Sequence, residues 1–211
     1  MVPMSRIHFK IKNTGSIHRS AFSLVELMVT VAILGIVTGV TINVSQASWR
    51  RERAVTATIM LLGWLEQIAR SPERDGISCR VDVNITTGSN VLRPGSMLAS
   101  VTPSTCAFES SVLAPGSMDN SGYQVNVLGA SDGPISSQKS WWFTPRGAIS
   151  TTTPSAISGS SATDIVVSIS MEGNPPIRCV RLSGTLGLLR NGRNNASGNT
   201  NVDSCNEWSL R

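Results

Sequence analysis

An α+β architecture, with a long N-terminal helix packed on an antiparallel β-sheet domain, follows from three features of the chain. Residues 27 to 49 carry no charge, residues 55 to 68 repeat apolar side chains at helical spacing, and from Ile77 onward the apolar period drops to two. A chain of 211 residues has room for one domain with its own core and an appendage.

The appendage comes first. Of the 18 Lys and Arg residues, four (Arg6, Lys10, Lys12 and Arg19) precede Ala21 with no acid among them, which leaves 14 basic against 13 acidic residues beyond it. The basic balance therefore describes this segment and carries no general nucleic-acid signal. The uncharged run Leu27 to Trp49 is 23 residues long. As a helix it reaches about 34 Å at about 1.5 Å per residue, enough for a hydrocarbon core of about 30 Å. Glu26 stands at its start, where a carboxylate is costly. A signal anchor, or a secretory peptide cut after Ser45-Gln46-Ala47, accounts for the run but leaves the glutamate without a role. Gly35 and Gly39 fit a GxxxG packing pattern, which is common in membrane helices.

Past Trp49 charge returns with Arg50, Arg51, Glu52 and Arg53, and Val55, Ile59, Leu62, Leu65 and Ile68 then form the stripe of a helix packed on one face. Pro72 predicts its end near Ser71. ISCRVDVNI, residues 77 to 85, alternates as a half-buried strand with Ile77, Cys79, Val81, Val83 and Ile85 inward and Ser78, Arg80, Asp82 and Asn84 outward. YQVNV at 123 to 127, WWF at 141 to 143, DIVVSIS at 164 to 170, and IRCVRL with GTLGLLR supply further strands. Residues 144 to 163 and 191 to 204 are rich in Ser, Thr, Asn and Gly and read as loops. Adjacent strand tryptophans, Trp141 and Trp142, send one ring to the core and the other to an interface; exposed together, they would offer a stacking platform.

All four cysteines, Cys79, Cys106, Cys179 and Cys205, follow the apolar run without zinc-ligand or CxxC spacing, and an even count points to two disulfides in an oxidising compartment. Pairing neighbours joins Cys79 to Cys106 and Cys179 to Cys205, one of three connectivities. Both histidines, His8 and His18, lie before Ala21, so a chain cut there has no histidine and Lys139 as its one lysine. Ser–His and Cys–His catalysis is then excluded, no phosphate-cradling or EF-hand motif occurs, and no cofactor, metal or enzymatic role is expected.

AFSLVELMVTVAILG, residues 21 to 35, resembles the processing motif of type IV pilins and pseudopilins: a small residue, Phe, Ser or Thr, Leu, an apolar residue, Glu, then a long apolar helix. The resemblance implies that a prepilin peptidase cuts between Ala21 and Phe22 and methylates Phe22, and that Glu26 pairs with the N-terminal amine of a neighbouring subunit during assembly. Ala21 stands where the family usually has Gly, and Asn43 where many relatives have Pro. The implied organisation is a leader at 1–21, a transmembrane and filament-core half-helix at 22–47, an amphipathic half-helix at 48–71 and a periplasmic β domain at 72–211. The chain would be a single-pass protein of the bacterial inner membrane, incorporated into a pilus or pseudopilus.

Further matches resemble the GspH/FimT group: LLGWLEQIARS at the helix end, the Phe-Thr-x-x-Gly turn in WWFTPRGAIS, and the closing strand pair IRCVRLSGTLGLLR. This implies a minor pilin that initiates or caps a type IV pilus, with other minor and major pilins, the prepilin peptidase and inner-membrane lipid as partners. A GspH-like pseudopilin of type II secretion and a DNA-binding minor pilin for natural transformation are the alternatives. Some FimT proteins bind DNA through a Gly-Arg-x-Arg, which Gly187-Leu188-Leu189-Arg190 keeps in part. Arg178, Arg181, Arg190 and Arg193 concentrate positive charge there; either they line a DNA groove or they are the solvated face of edge strands.

Overall fold

The computed structural model describes residues 23–87, 91–107, 109–113, 122–152, 164–171, 174–184, 187–195 and 205–209, without the side chains of 40–47 and 174–175. The chain divides into two compact units, Met1–Val44 and Ser45–Arg211. Helix α1, Leu24–Asp75, contributes to both.

In the first unit the apolar side chains of α1 have no core to enter. Leu24, Val25, Leu27, Met28, Val29, Val31, Ile33, Leu34, Ile36 and Val37 are all more than half exposed and occupy every side of the helix. Among the described residues no helix is long and apolar enough to cross a membrane. The uncharged run of the sequence continues through 40–47, whose side chains lie outside that description.

The second unit holds every buried apolar residue among those described. Here α1 buries Ala54, Ala57, Thr58, Leu61, Leu62, Leu65 and Ile68. The expected stripe holds at Leu62, Leu65 and Ile68 but not earlier, since Ile59 is 52% exposed and Val55 is only part-buried. Alanines and a threonine occupy the buried turns instead, the Thr58 hydroxyl donating to the Ala54 carbonyl at 2.8 Å. The expected stop at Ser71 is also corrected, because the helix runs through a buried Pro72 to Asp75. A proline near the end of a helix removes one bond, and the turn then closes through Gly76, whose N–H donates to the Pro72 carbonyl at 2.9 Å with φ at +68°.

Eleven strands follow among the described residues, and all their pairings are antiparallel. The first sheet has β1 (Cys79–Asn84) between β2 (Met97–Thr102) and β6 (Gln138–Phe143), with β3 (Ser111–Val112), β5 (Ser131–Asp132) and β7 (Ile149–Ser150) as short additions. The second runs β11 (Glu207–Ser209), β10 (Leu189–Asn194), β9 (Asn174–Leu182), β8 (Ile165–Met171), β4 (Tyr123–Leu128). One apolar cluster takes in the α1 face, Val81, Val83, Trp141 and Phe143 of the first sheet, and Val125, Val167, Val180 and Leu182 of the second. The α+β architecture is thus the one expected, in two sheets. The sheets also meet at a turn, where the Ile149 N–H donates to the Gly184 carbonyl at 3.2 Å. A Cβ on Gly187 there would come within 2.4 Å of the Gly147 carbonyl oxygen, so this approach requires glycine.

Two expected loops are partly strand: Ile149–Ser150 pairs with β6, and Asn191–Asn194 completes β10. Residues 144–148, 151–152 and 195 lie outside any strand, and 153–163 and 196–204 lie outside the described residues. Asp82, expected in water, is 5% exposed. It accepts a hydrogen bond from Ser140 at 2.5 Å and pairs with Arg80 at 3.1 Å, and the Arg80 guanidinium lies 5.7 Å from the Trp142 ring. Trp141 is fully buried and Trp142 half-buried, so the two rings divide between core and surface. Disulfides join Cys79 to Cys106 and Cys179 to Cys205.

Candidate functional site

In the first unit the chemistry rests on one carboxylate. Ala21 and Phe22 lie outside the described residues, and the helix begins at Leu24 with Glu26 in its first turn. The two threonine side chains between Leu24 and Gly39 are satisfied within the helix. Thr30 donates to the Leu27 carbonyl at 2.9 Å, and Thr38 to those of Leu34 and Gly35 at 2.7 and 3.1 Å. Such hydroxyls do not resist an apolar environment. A carboxylate does, although the free N–H groups of the first helical turn favour it locally.

In the second unit the four candidate arginines are not brought together. Arg178 and Arg193 are register partners, as are Arg181 and Arg190. Within each strand the two positions are three residues apart, so the pairs lie on opposite faces of the sheet. On the outer face Arg181 is bonded to Asp164 and lies 5.6 Å from the Trp208 ring. Trp208 rests on Gly192, where a Cβ would meet the ring at 2.7 Å, and packs beside Ile177 and the Cys179–Cys205 bridge. Asp164 also accepts the Gly184 N–H at 3.1 Å, and these bonds hold its carboxyl below the ordinary aspartate range.

The helix-facing side changes character along one cross-strand row. Val125, Ile169, Arg178, Arg193 and Glu207 are successive register partners, apolar under the core and charged at the sheet edge. There Arg51, Val55 and Thr58 of α1 and Arg178, Arg193 and Glu207 of the sheet line an open cleft of about 560 Å³. Arg178 is 5% exposed and donates to the Ile177 carbonyl at 3.2 Å and to Asn195 Oδ1 at 3.0 Å. Burial, and then the neighbouring Arg51 and Arg193 guanidiniums, hold its pKa below the usual arginine range, with Glu207 opposing them. Arg193 pairs with Glu207 at 2.5 Å. The cleft therefore faces three guanidiniums with one carboxylate.

Sequence reasoning missed Arg51 and Glu207 as members of this cleft. Arg51 lies within the basic cluster after the apolar run, but its distance in sequence from Arg178 hides the encounter. Among the described residues no group of three or more His, Cys, Asp or Glu side chains could hold a metal ion.

Residues 17–42 match the family described as the prokaryotic N-terminal methylation motif. No curated protein and no solved structure matches the chain. The motif supports a type IV pilin-like protein, a structural subunit, and implies processing by a prepilin peptidase and assembly with other pilins.

Proposed function

We propose that this chain is a minor pilin or pseudopilin of the GspH/FimT kind, which initiates or caps a type IV pilus. It is made with the leader 1–21, cut between Ala21 and Phe22, and methylated on Phe22. Residues 22–47 then hold it in the bacterial inner membrane, the amphipathic half-helix from residue 48 to Asp75 covers the sheets, and the β domain beyond it stands in the periplasm. The observation that carries this reading is a helix apolar on every side, with Glu26 its one ionisable group between Leu24 and Gly39. Such a surface calls for lipid or for other helices, and a carboxylate within it calls for a cationic partner. The methylated amine of an adjacent subunit supplies that charge.

Intact mass and N-terminal peptide mapping of the membrane-bound protein, with and without prepilin peptidase, tests the reading. A methylated start at Phe22 that disappears without the enzyme is expected. A start at Met1 or Ser48 in the presence of the enzyme would sink it.

A further inference from the structure

We propose that the cleft on Arg51, Arg178 and Arg193 seats the phosphate of an anionic phospholipid headgroup at the surface of the anchoring membrane. This rests on the reading of residues 27 to 49 as a membrane span.

Charge is the first argument. Three guanidiniums around one carboxylate leave a positive excess, and guanidinium forks match phosphate oxygens in pairs. Arg178 is nearly buried and fixed by two hydrogen bonds, so it is positioned before any ligand arrives, while Arg51 and Arg193 stand exposed at the rim. At about 560 Å³ the cleft falls within the range of about 300–1,000 Å³ usual for small-ligand sites.

Position along the helix is the second argument. Trp49 closes the uncharged run, and tryptophan prefers the membrane interface. At about 1.5 Å per residue Arg51 lies about 3 Å beyond Trp49 and Val55 about 9 Å beyond it. A headgroup layer occupies about 5–8 Å outside the hydrocarbon core. The helical wall of the cleft therefore begins where lipid phosphates are.

Nucleic acid shares the phosphate but not the geometry, since a strand needs a row of cations along one surface. Here Arg181 and Arg190 are on the far side of the sheet from Arg178 and Arg193. A single phosphate suits the cleft better than a track of them.

The test uses the full chain in neutral detergent, titrated with dihexanoyl-phosphatidylglycerol and followed by native mass spectrometry. Dihexanoyl-phosphatidylcholine, inorganic phosphate and a single-stranded oligonucleotide serve as competitors. One phosphatidylglycerol per chain is expected, held about tenfold more weakly after Arg51→Gln or Arg193→Gln, since each removes a charge-assisted contact. Both residues are exposed, so these variants test the site without disturbing the buried Arg178. Equal binding of the two lipids, wild-type affinity in both variants, or displacement by equimolar inorganic phosphate or oligonucleotide would overturn the proposal. Carbonate extraction of native membranes separates the two readings. A chain that resists carbonate but shows no lipid preference loses the cleft alone, whereas a chain released by carbonate loses the anchor and the cleft with it.

Discussion

The two disulfides close loops of nearly equal length, with sequence separations of 27 and 26, so chain entropy alone assigns each about 3.5 kcal/mol. Their surroundings differ. Cys79 and Cys106 belong to the main core at 0% and 1% exposure, and Cys79 sits on β1 between two neighbouring strands. The Cys79→Ala/Cys106→Ala variant therefore loses packing as well as the cross-link, for a total of about 4–6 kcal/mol. Cys205 instead precedes β11, an edge strand of three residues. When the Cys179→Ala/Cys205→Ala variant is made, β11 is free to leave the sheet. The global loss then cannot exceed the free energy with which that strand is docked, and is smaller than that of the first pair. Urea denaturation of Ser45–Arg211, followed by tryptophan fluorescence, measures both losses. Hydrogen exchange should report faster opening at Asn191–Arg193, the residues paired with β11, in the second variant. Equal global losses, or unchanged protection at Asn191–Arg193, would refute the reasoning.

Leu65→Ala should cost about 2–5 kcal/mol in the same denaturation, whereas Ile59→Ala should stay within about 0.5 kcal/mol because Ile59 faces water. Tyr123 is fully buried, its hydroxyl has no hydrogen-bond partner among the described residues, and burial raises its pKa despite the opposing Arg53 charge. Tyr123→Phe removes that unpaired group and is expected to leave urea stability unchanged or to raise it by about 1–2 kcal/mol. Asp164 has a folded pKa below its unfolded value of about 3.9, so its contribution is present above that pH and is lost as pH falls through the folded pKa. Below about pH 4, stability should fall less steeply in Asp164→Asn than in the wild type, as read from urea midpoints across that range.

Periodicity made the larger elements legible. The alternation in Tyr123–Leu128 is matched residue by residue in its burial, and the strands β8 and β9 cover the stretches that read as strands, whereas β10 runs on into a stretch that reads as a loop. What stayed hidden had little period to show. β3, β5 and β7 are two residues long, and Met97–Thr102 has three consecutive apolar residues at its start. The first buried turns of the Ser45–Asp75 segment are hard to read because Ala54 and Ala57 carry little hydrophobic weight beside Val55 and Ile59. Both alanines are nonetheless buried in the core, and only packing reveals it. The arginine set divides between two faces for a reason the sequence does carry. Arg178 and Arg181, like Arg190 and Arg193, have odd spacings, and on strands an odd spacing means opposite faces. The cleft that does form could not be read from spacing, because Arg51 meets Arg178 only through the fold.

The contrast between the two parts of α1 bears on what Glu26 is for. From Ala54 onward the helix is apolar on one side and finds its partner in the sheets. Between Leu24 and Gly39 it is apolar on all sides, so neither side is marked as inner or outer, and lipid or any similar helix would cover it equally well. Nondirectional burial does not specify a register. The hydroxyls of Thr30 and Thr38 do not specify one either, because each is satisfied by its own helix. Glu26 is the exception. Its place in the first turn contributes about 0.3–1 kcal/mol through the helix dipole, less than the several kcal/mol a lone carboxylate costs in lipid. On the proposed reading a cation completes the segment, and the position of that cation would fix the axial register that the apolar surface leaves open.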